Sequence, residues 1–138
     1  MQILLNGKCK NTNPGRLYKS NVKYILDVLN TSINICIKNK DCALVTGPLS
    51  KENIIKIDSQ FTGHTEHIQK LTKSKNVLML LGSEKLKLAF ITTHIPLQKV
   101  SNAINENAVF SKTKILDIEL KKKFKIKNPR IGILGLNP

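Results

Sequence analysis

Val77-Leu78-Met79-Leu80-Leu81-Gly82-Ser83-Glu84-Lys85-Leu86-Lys87-Leu88-Ala89-Phe90-Ile91-Thr92-Thr93-His94-Ile95-Pro96-Leu97 is the stretch on which the fold turns. Its first residues, 77–81, form a continuous apolar run of the length of a buried strand. Gly82-Ser83-Glu84-Lys85 punctuates that run as a turn, and the Leu86, Leu88, Phe90 alternation beyond it predicts a neighbouring strand. Pro96 cannot continue a ladder, so a loop carries His94 before a helix through Val100, Ala103 and Ile104.

The same alternation of elements extends in both directions. Val22, Ile25, Leu26, Leu29, Ile33, Cys36 and Ile37 recur at three- and four-residue steps, which predicts an amphipathic helix with Ser20 as its N-cap and Cys36 packed on its apolar face. Pro14-Gly15 marks the turn before it. Cys42-Ala43-Leu44-Val45-Thr46, closed by Gly47-Pro48, predicts a buried strand, and Ser50 starts a short helical stretch carrying Ile54, Ile55 and Ile57. Residues 64–71 read as a helix capped by Thr62 or Thr65. A further helix, roughly 111–124, places Ile115, Leu120 and either Ile118 or Leu116 inward; Asn128-Pro129 breaks it, and 131–136 is another strand.

Short buried strands alternating with helices predict an α/β architecture with at least part of the sheet parallel. A buried strand needs cover on both faces, yet only Asn137 and Pro138 follow Leu136 and little precedes the first helix. The chain, 1–138, therefore reads as a single fragment of a larger α/β protein, incomplete at both ends, with exposed apolar surface and loops short enough for one compact unit.

Composition narrows the function classes. The 138 residues, 41% of them hydrophobic, suffice for one core but contain no run near the ~18 apolar residues of a membrane span. Met1-Gln2-Ile3-Leu4-Leu5 is too short for a signal peptide, and Cys9, Cys36 and Cys42 form neither a disulfide framework nor a zinc knuckle, so a cytoplasmic location is expected. The net charge of +14 raises a nucleic-acid-binding module as a rival reading. Against it, the cations are scattered lysines with arginine only at 16 and 130, aromatic content is 4%, and the Lys121-Lys122-Lys123 run ends a predicted helix, where cations favour the dipole.

Three histidines carry the candidate chemistry. His94 follows a strand and two threonines at the edge where ligands of α/β sheets bind; it reads either as a metal ligand or as a solvated loop histidine. His64 and Thr65 lie at a glycine turn into a helix start, which reads as an anion site or as a simply capped helix. His67, with no third ligand nearby, is expected to be exposed. Thr46-Gly47-Pro48 with Lys51 forms another strand-to-helix loop, but no P-loop or Gly-x-Gly-x-x-Gly spacing exists.

Read together, Ala43-Leu44-Val45-Thr46-Gly47-Pro48 with Lys51, Phe61-Thr62-Gly63-His64-Thr65-Glu66, Val77-Leu78-Met79-Leu80-Leu81, Thr92-Thr93-His94-Ile95-Pro96-Leu97 and Pro129-Arg130-Ile131 running into Gly135-Leu136-Asn137-Pro138 resemble the 4-hydroxythreonine-4-phosphate dehydrogenase family of pyridoxine phosphate biosynthesis. The resemblance covers about residues 14–138, a central fragment. It implies a partial isocitrate/isopropylmalate dehydrogenase-like fold and a homodimer in the complete enzyme. It also implies oxidation of 4-phosphooxy-L-threonine by NAD or NADP, followed by decarboxylation to 3-amino-2-oxopropyl phosphate. A divalent metal (zinc, magnesium or cobalt) would stabilise the alkoxide that releases hydride.

By the same resemblance His64 and Thr65 match substrate-binding positions and His94 matches one of three metal-binding histidines. The other two fall beyond Pro138, so the fragment alone is expected to be inactive. A non-catalytic, degenerate remnant of the same ancestry is the second rival.

Overall fold

The computed structural model describes residues 7–10 and 12–136. The Met1-Gln2-Ile3-Leu4-Leu5 segment and the Asn137-Pro138 pair lie outside the described residues. Two compact units divide the chain, Met1–Asn76 and Val77–Pro138, instead of the one expected from loop lengths.

In the first unit, helix α1 (Val22–Lys38) turns Val22, Leu29 and Ile33 into a core completed by Ile54 and Phe61. Ile25, Leu26, Leu44, Leu49 and Ile68 pack around it. The predicted apolar stripe is thus the buried one, although Cys36 is only half-buried and Ile37 is exposed. Ser20 does not cap α1. It lies within a 3₁₀ turn, Lys19–Asn21, and Asn21 occupies the cap position without capping. The Asn21 side chain is held elsewhere: its Oδ1 accepts from the Lys10 N–H at 2.9 Å and its Nδ2 donates to the Lys10 carbonyl at 3.2 Å. That two-way bond fastens an extended N-terminal segment to the start of α1, satisfying a residue that is itself buried.

Helix α2 (Lys51–Ile55) starts where Ser50 predicts, the Ser50 Oγ accepting from the Asn53 N–H. Helix α3 (His64–Thr72) follows Gly63 and ends at Lys73 in left-handed backbone. Residues 42–46 form no strand, and Val45 is 92% exposed. A strand exists only through a neighbour's ladder, and among the described residues none runs beside this segment.

The second unit contains the hairpin. Strands β1 (Met79–Gly82) and β2 (Lys87–Phe90) pair with Met79 opposite Phe90 and Gly82 opposite Lys87. Ser83 closes the turn, donating its N–H to the Leu86 carbonyl at 2.8 Å and accepting the Leu86 N–H on its hydroxyl. The pair is antiparallel, which corrects the expectation of a partly parallel sheet. The apolar alternation does not mark the covered face: Met79, Leu81, Leu88 and Phe90 share the more exposed face, while Leu80, Lys87 and Ala89 are half-buried. Leu88 and Phe90 look into an open cleft of about 580 Å³ that Leu116 and Leu120 also line. Alternation thus identified the strand but not which side would be covered.

Short helix α4 (Val100–Ala103) follows a 3₁₀ turn, Leu97–Lys99. Helix α5 (Glu106–Lys122) begins earlier than its hydrophobic pattern suggests, because Asn105 caps it by accepting the Ala108 N–H at 2.9 Å. Leu120 is buried and Ile118 exposed, which decides between Leu116 and Ile118 for the inward position. Two members of the lysine run are engaged in the helix itself, Lys121 with Asp117 at 2.7 Å and Lys123 with Glu119 at 3.0 Å. Residues 131–136 join no ladder, and Leu134 is 87% exposed, against the expected strand and for the same reason as 42–46. Removing the cap with Asn105→Ala is expected to lower stability by about 1 kcal/mol, measured as a loss of helical signal at lower denaturant; an unchanged midpoint would count against the cap.

Candidate functional site

The first unit brings together two motifs that are separate in sequence. Gly63 occupies the N-cap of α3 with φ 154° and ψ 177°, and no side chain caps the helix. Neither Thr62 nor Thr65 takes the predicted capping role, because the residue at the cap position has no side-chain oxygen to offer. With no side-chain cap, the backbone N–H groups of His64 and Thr65 have no partner within the helix and lie at the positive end of its dipole.

Lys51, the first residue of α2 beyond the Thr46-Gly47-Pro48 loop, reaches this corner. A Cβ placed on Gly63 would stand 3.1 Å from Lys51 Nζ and 3.0 Å from Glu66 Oε2. The Glu66 oxygen is buried, so glycine leaves room for a carboxylate on the inner side and an ammonium beside it. His64 and Thr65 are both half-buried, neighbours on the first turn, as the sequence places them.

His67 is not exposed. It is half-buried, its Nε2–H donates to Asn30 Oδ1 at 2.7 Å, and its ring lies 5.4 Å from that of Phe61, tilted by 49°. Burial holds its pKa below the ordinary histidine value; Asp58 opposes this, and Lys70 and His64 add to it. Sequence reasoning passed over this pair. The available signal was Asn30, a polar residue four positions after Leu26 and eight after Val22, in phase with the apolar stripe of α1.

In the second unit His94 is exposed, in a bend after β2, and its backbone is left-handed with φ 57°. Left-handed backbone is uncommon for a side-chain-bearing residue, though histidine tolerates it better than most. Among the described residues no group of three or more His, Cys, Asp or Glu could hold a metal ion. The residues described do not fit a resident metal, since one imidazole offers a single ligand where a catalytic site needs about three. Among the same residues no helix is long and apolar enough to cross a membrane.

The fold and these corners define the class: a mixed α/β chain with an uncapped helix start in one unit and a histidine in left-handed backbone after the hairpin of the other. The model of the family described as pyridoxal phosphate biosynthetic protein PdxA matches residues 2–138, and the chain belongs to that family. It is similar to the 4-hydroxythreonine-4-phosphate dehydrogenases of Marinobacter nauticus (41% identity over 130 residues, 94% of this chain and 39% of the relative). Those of Pseudomonas putida (38% over 125 residues, 91% and 38%) and Pseudoalteromonas translucida (40% over 124 residues, 90% and 38%) are also similar. The chain thus spans about two fifths of the length of the curated relatives it matches.

Proposed function

We propose that the complete protein oxidises 4-phosphooxy-L-threonine with NAD or NADP and that this chain contributes His64 and Thr65 to substrate binding. The observation that carries the proposal is the uncapped start of α3, with Lys51 beside it, in a member of this family. A phosphorylated amino acid is an anion at neutral pH, and N–H groups without a partner within the helix, a positive dipole end and a nearby ammonium favour one. A nicotinamide held by the complete protein would accept the hydride from C3 as the C3 hydroxyl gives up its proton, leaving a 3-oxo acid. Loss of carbon dioxide from that acid gives 3-amino-2-oxopropyl phosphate.

The metal belongs to the complete protein in this proposal, with His94 as one of its ligands. The cytoplasm as location and a homodimer as the working state are part of the same proposal.

The test is in two parts. Titration of 4-phosphooxy-L-threonine into the chain should shift the amide NMR signals of His64 and Thr65 saturably, with unphosphorylated threonine far weaker. Absence of such shifts, or their persistence in His64→Ala with unchanged affinity, would count against the substrate site. In the protein purified from its source, NAD(P)H formation should depend on His94; full turnover by His94→Ala would remove the metal-ligand assignment.

A further inference from the structure

We propose that His67 is a positioning residue for the Gly63-His64-Thr65 corner, tying the first turns of α3 to α1 through Asn30, and that protonation of its ring loosens that corner. Its functional consequence rests on the reading of His64 and Thr65 as substrate-binding residues; its structural content does not.

Three observations carry it. The His67 N–H donates to the Gly63 carbonyl at 3.0 Å, so His67 closes the turn that presents His64 and Thr65. Its ring bonds Asn30 on α1 and lies 5.4 Å, tilted, from the ring of Phe61, which is 2% exposed in the core. Helix α3 has no fully buried residue of its own, so few contacts other than Ile68 and this ring fasten it to the core.

The bond to Asn30 is donated from Nε2 and persists when the ring is protonated, so what protonation brings is buried charge and not the loss of a donor. A second proton at Nδ1 places positive charge in a half-buried site. Lys70 and His64 on α3 disfavour that charge, Asp58 in the turn after α2 favours it, and α1 offers the neutral Asn30. With the folded pKa below the ordinary 6.5, the unfolded chain binds more protons. The contribution is fully present above about pH 6.5 and is lost as pH falls through the folded pKa.

The experiment follows ring and amide signals of the full chain by NMR from about pH 8 to about pH 5. The Gly63, His64 and Thr65 amides are expected to move with the midpoint of the His67 ring, below that of a free histidine. Asn30→Asp supplies a carboxylate acceptor and should raise both midpoints together by about one pH unit. His67→Gln keeps a donor but cannot titrate, and should remove this transition while leaving that of His64.

Amides that follow the His64 ring alone, or an Asn30→Asp variant that moves the His67 midpoint and not theirs, would overturn the proposal. Should Asn30→Asp fail to fold, the His67→Gln comparison decides. Turnover enters none of these readouts, so an enzyme without the proposed activity would defeat the substrate reading and leave this result standing.

Discussion

Phe61→Ala is expected to destabilise the first unit by about 3–5 kcal/mol, the largest effect of any single substitution considered. Phe61 is 2% exposed and packs with Val22, Leu29, Ile33 and Ile54. Deleting the ring removes its transfer free energy and leaves a cavity that helices on either side can close only in part. The His67 ring loses its aromatic neighbour at the same time, so the damage extends to α3. Urea unfolding measures the effect as a lower midpoint at an unchanged slope. Leu134→Ala, at a side chain 87% exposed, serves as the control and should stay within about 0.5 kcal/mol. A loss below about 1 kcal/mol for Phe61→Ala would mean that this core is not formed as described.

Gly63→Ala has the second largest expected effect because two independent costs fall on one atom. The backbone at φ 154° and ψ 177° lies in a region open essentially to glycine, and forcing another residue there costs about 1–3 kcal/mol. The new methyl would also stand 3.0 Å from Glu66 Oε2 and 3.1 Å from Lys51 Nζ, tighter than most Cβ contacts, so both charged groups must give by a few tenths of an ångström. Lys51 is exposed and yields easily, whereas the Glu66 oxygen is buried and does not. The variant should therefore melt lower and lose binding of 4-phosphooxy-L-threonine beyond what its stability explains. Gly135→Ala, where a Cβ meets nothing within 4 Å, should be neutral. Equal behaviour of the two variants would show that the corner tolerates a side chain and that glycine there has no special role.

Three local signals hold, although the expected caps at Ser20 and at Thr62 or Thr65 do not. The stripe of α1, the Ser50 cap and the Ser83 turn each depend on residues within a few positions of one another, and each is where the sequence puts it. The strand failures share one cause. Residues 42–46 and 131–136 have the apolar runs of buried strands, but a run specifies only the wish for cover and a ladder, not their supply. The Leu86, Leu88, Phe90 alternation likewise specified a strand and left open which face would meet a packed layer. Asn105 was overlooked as a cap because the polar start of α5 carries no apolar periodicity.

What the sequence by itself determined is the helix stripes, the turns, the family and the identity of the candidate residues His64, Thr65 and His94, all of which are written in spacing and motif. Only the tertiary structure decided that Lys51 stands beside Gly63, and that His67 bonds Asn30 across 37 positions of chain. It also decided which apolar faces are buried. Periodicity and capping are short-range and can be read from neighbours, whereas burial and pairing across the fold depend on which distant surface arrives, and that is set by the packing of the whole unit.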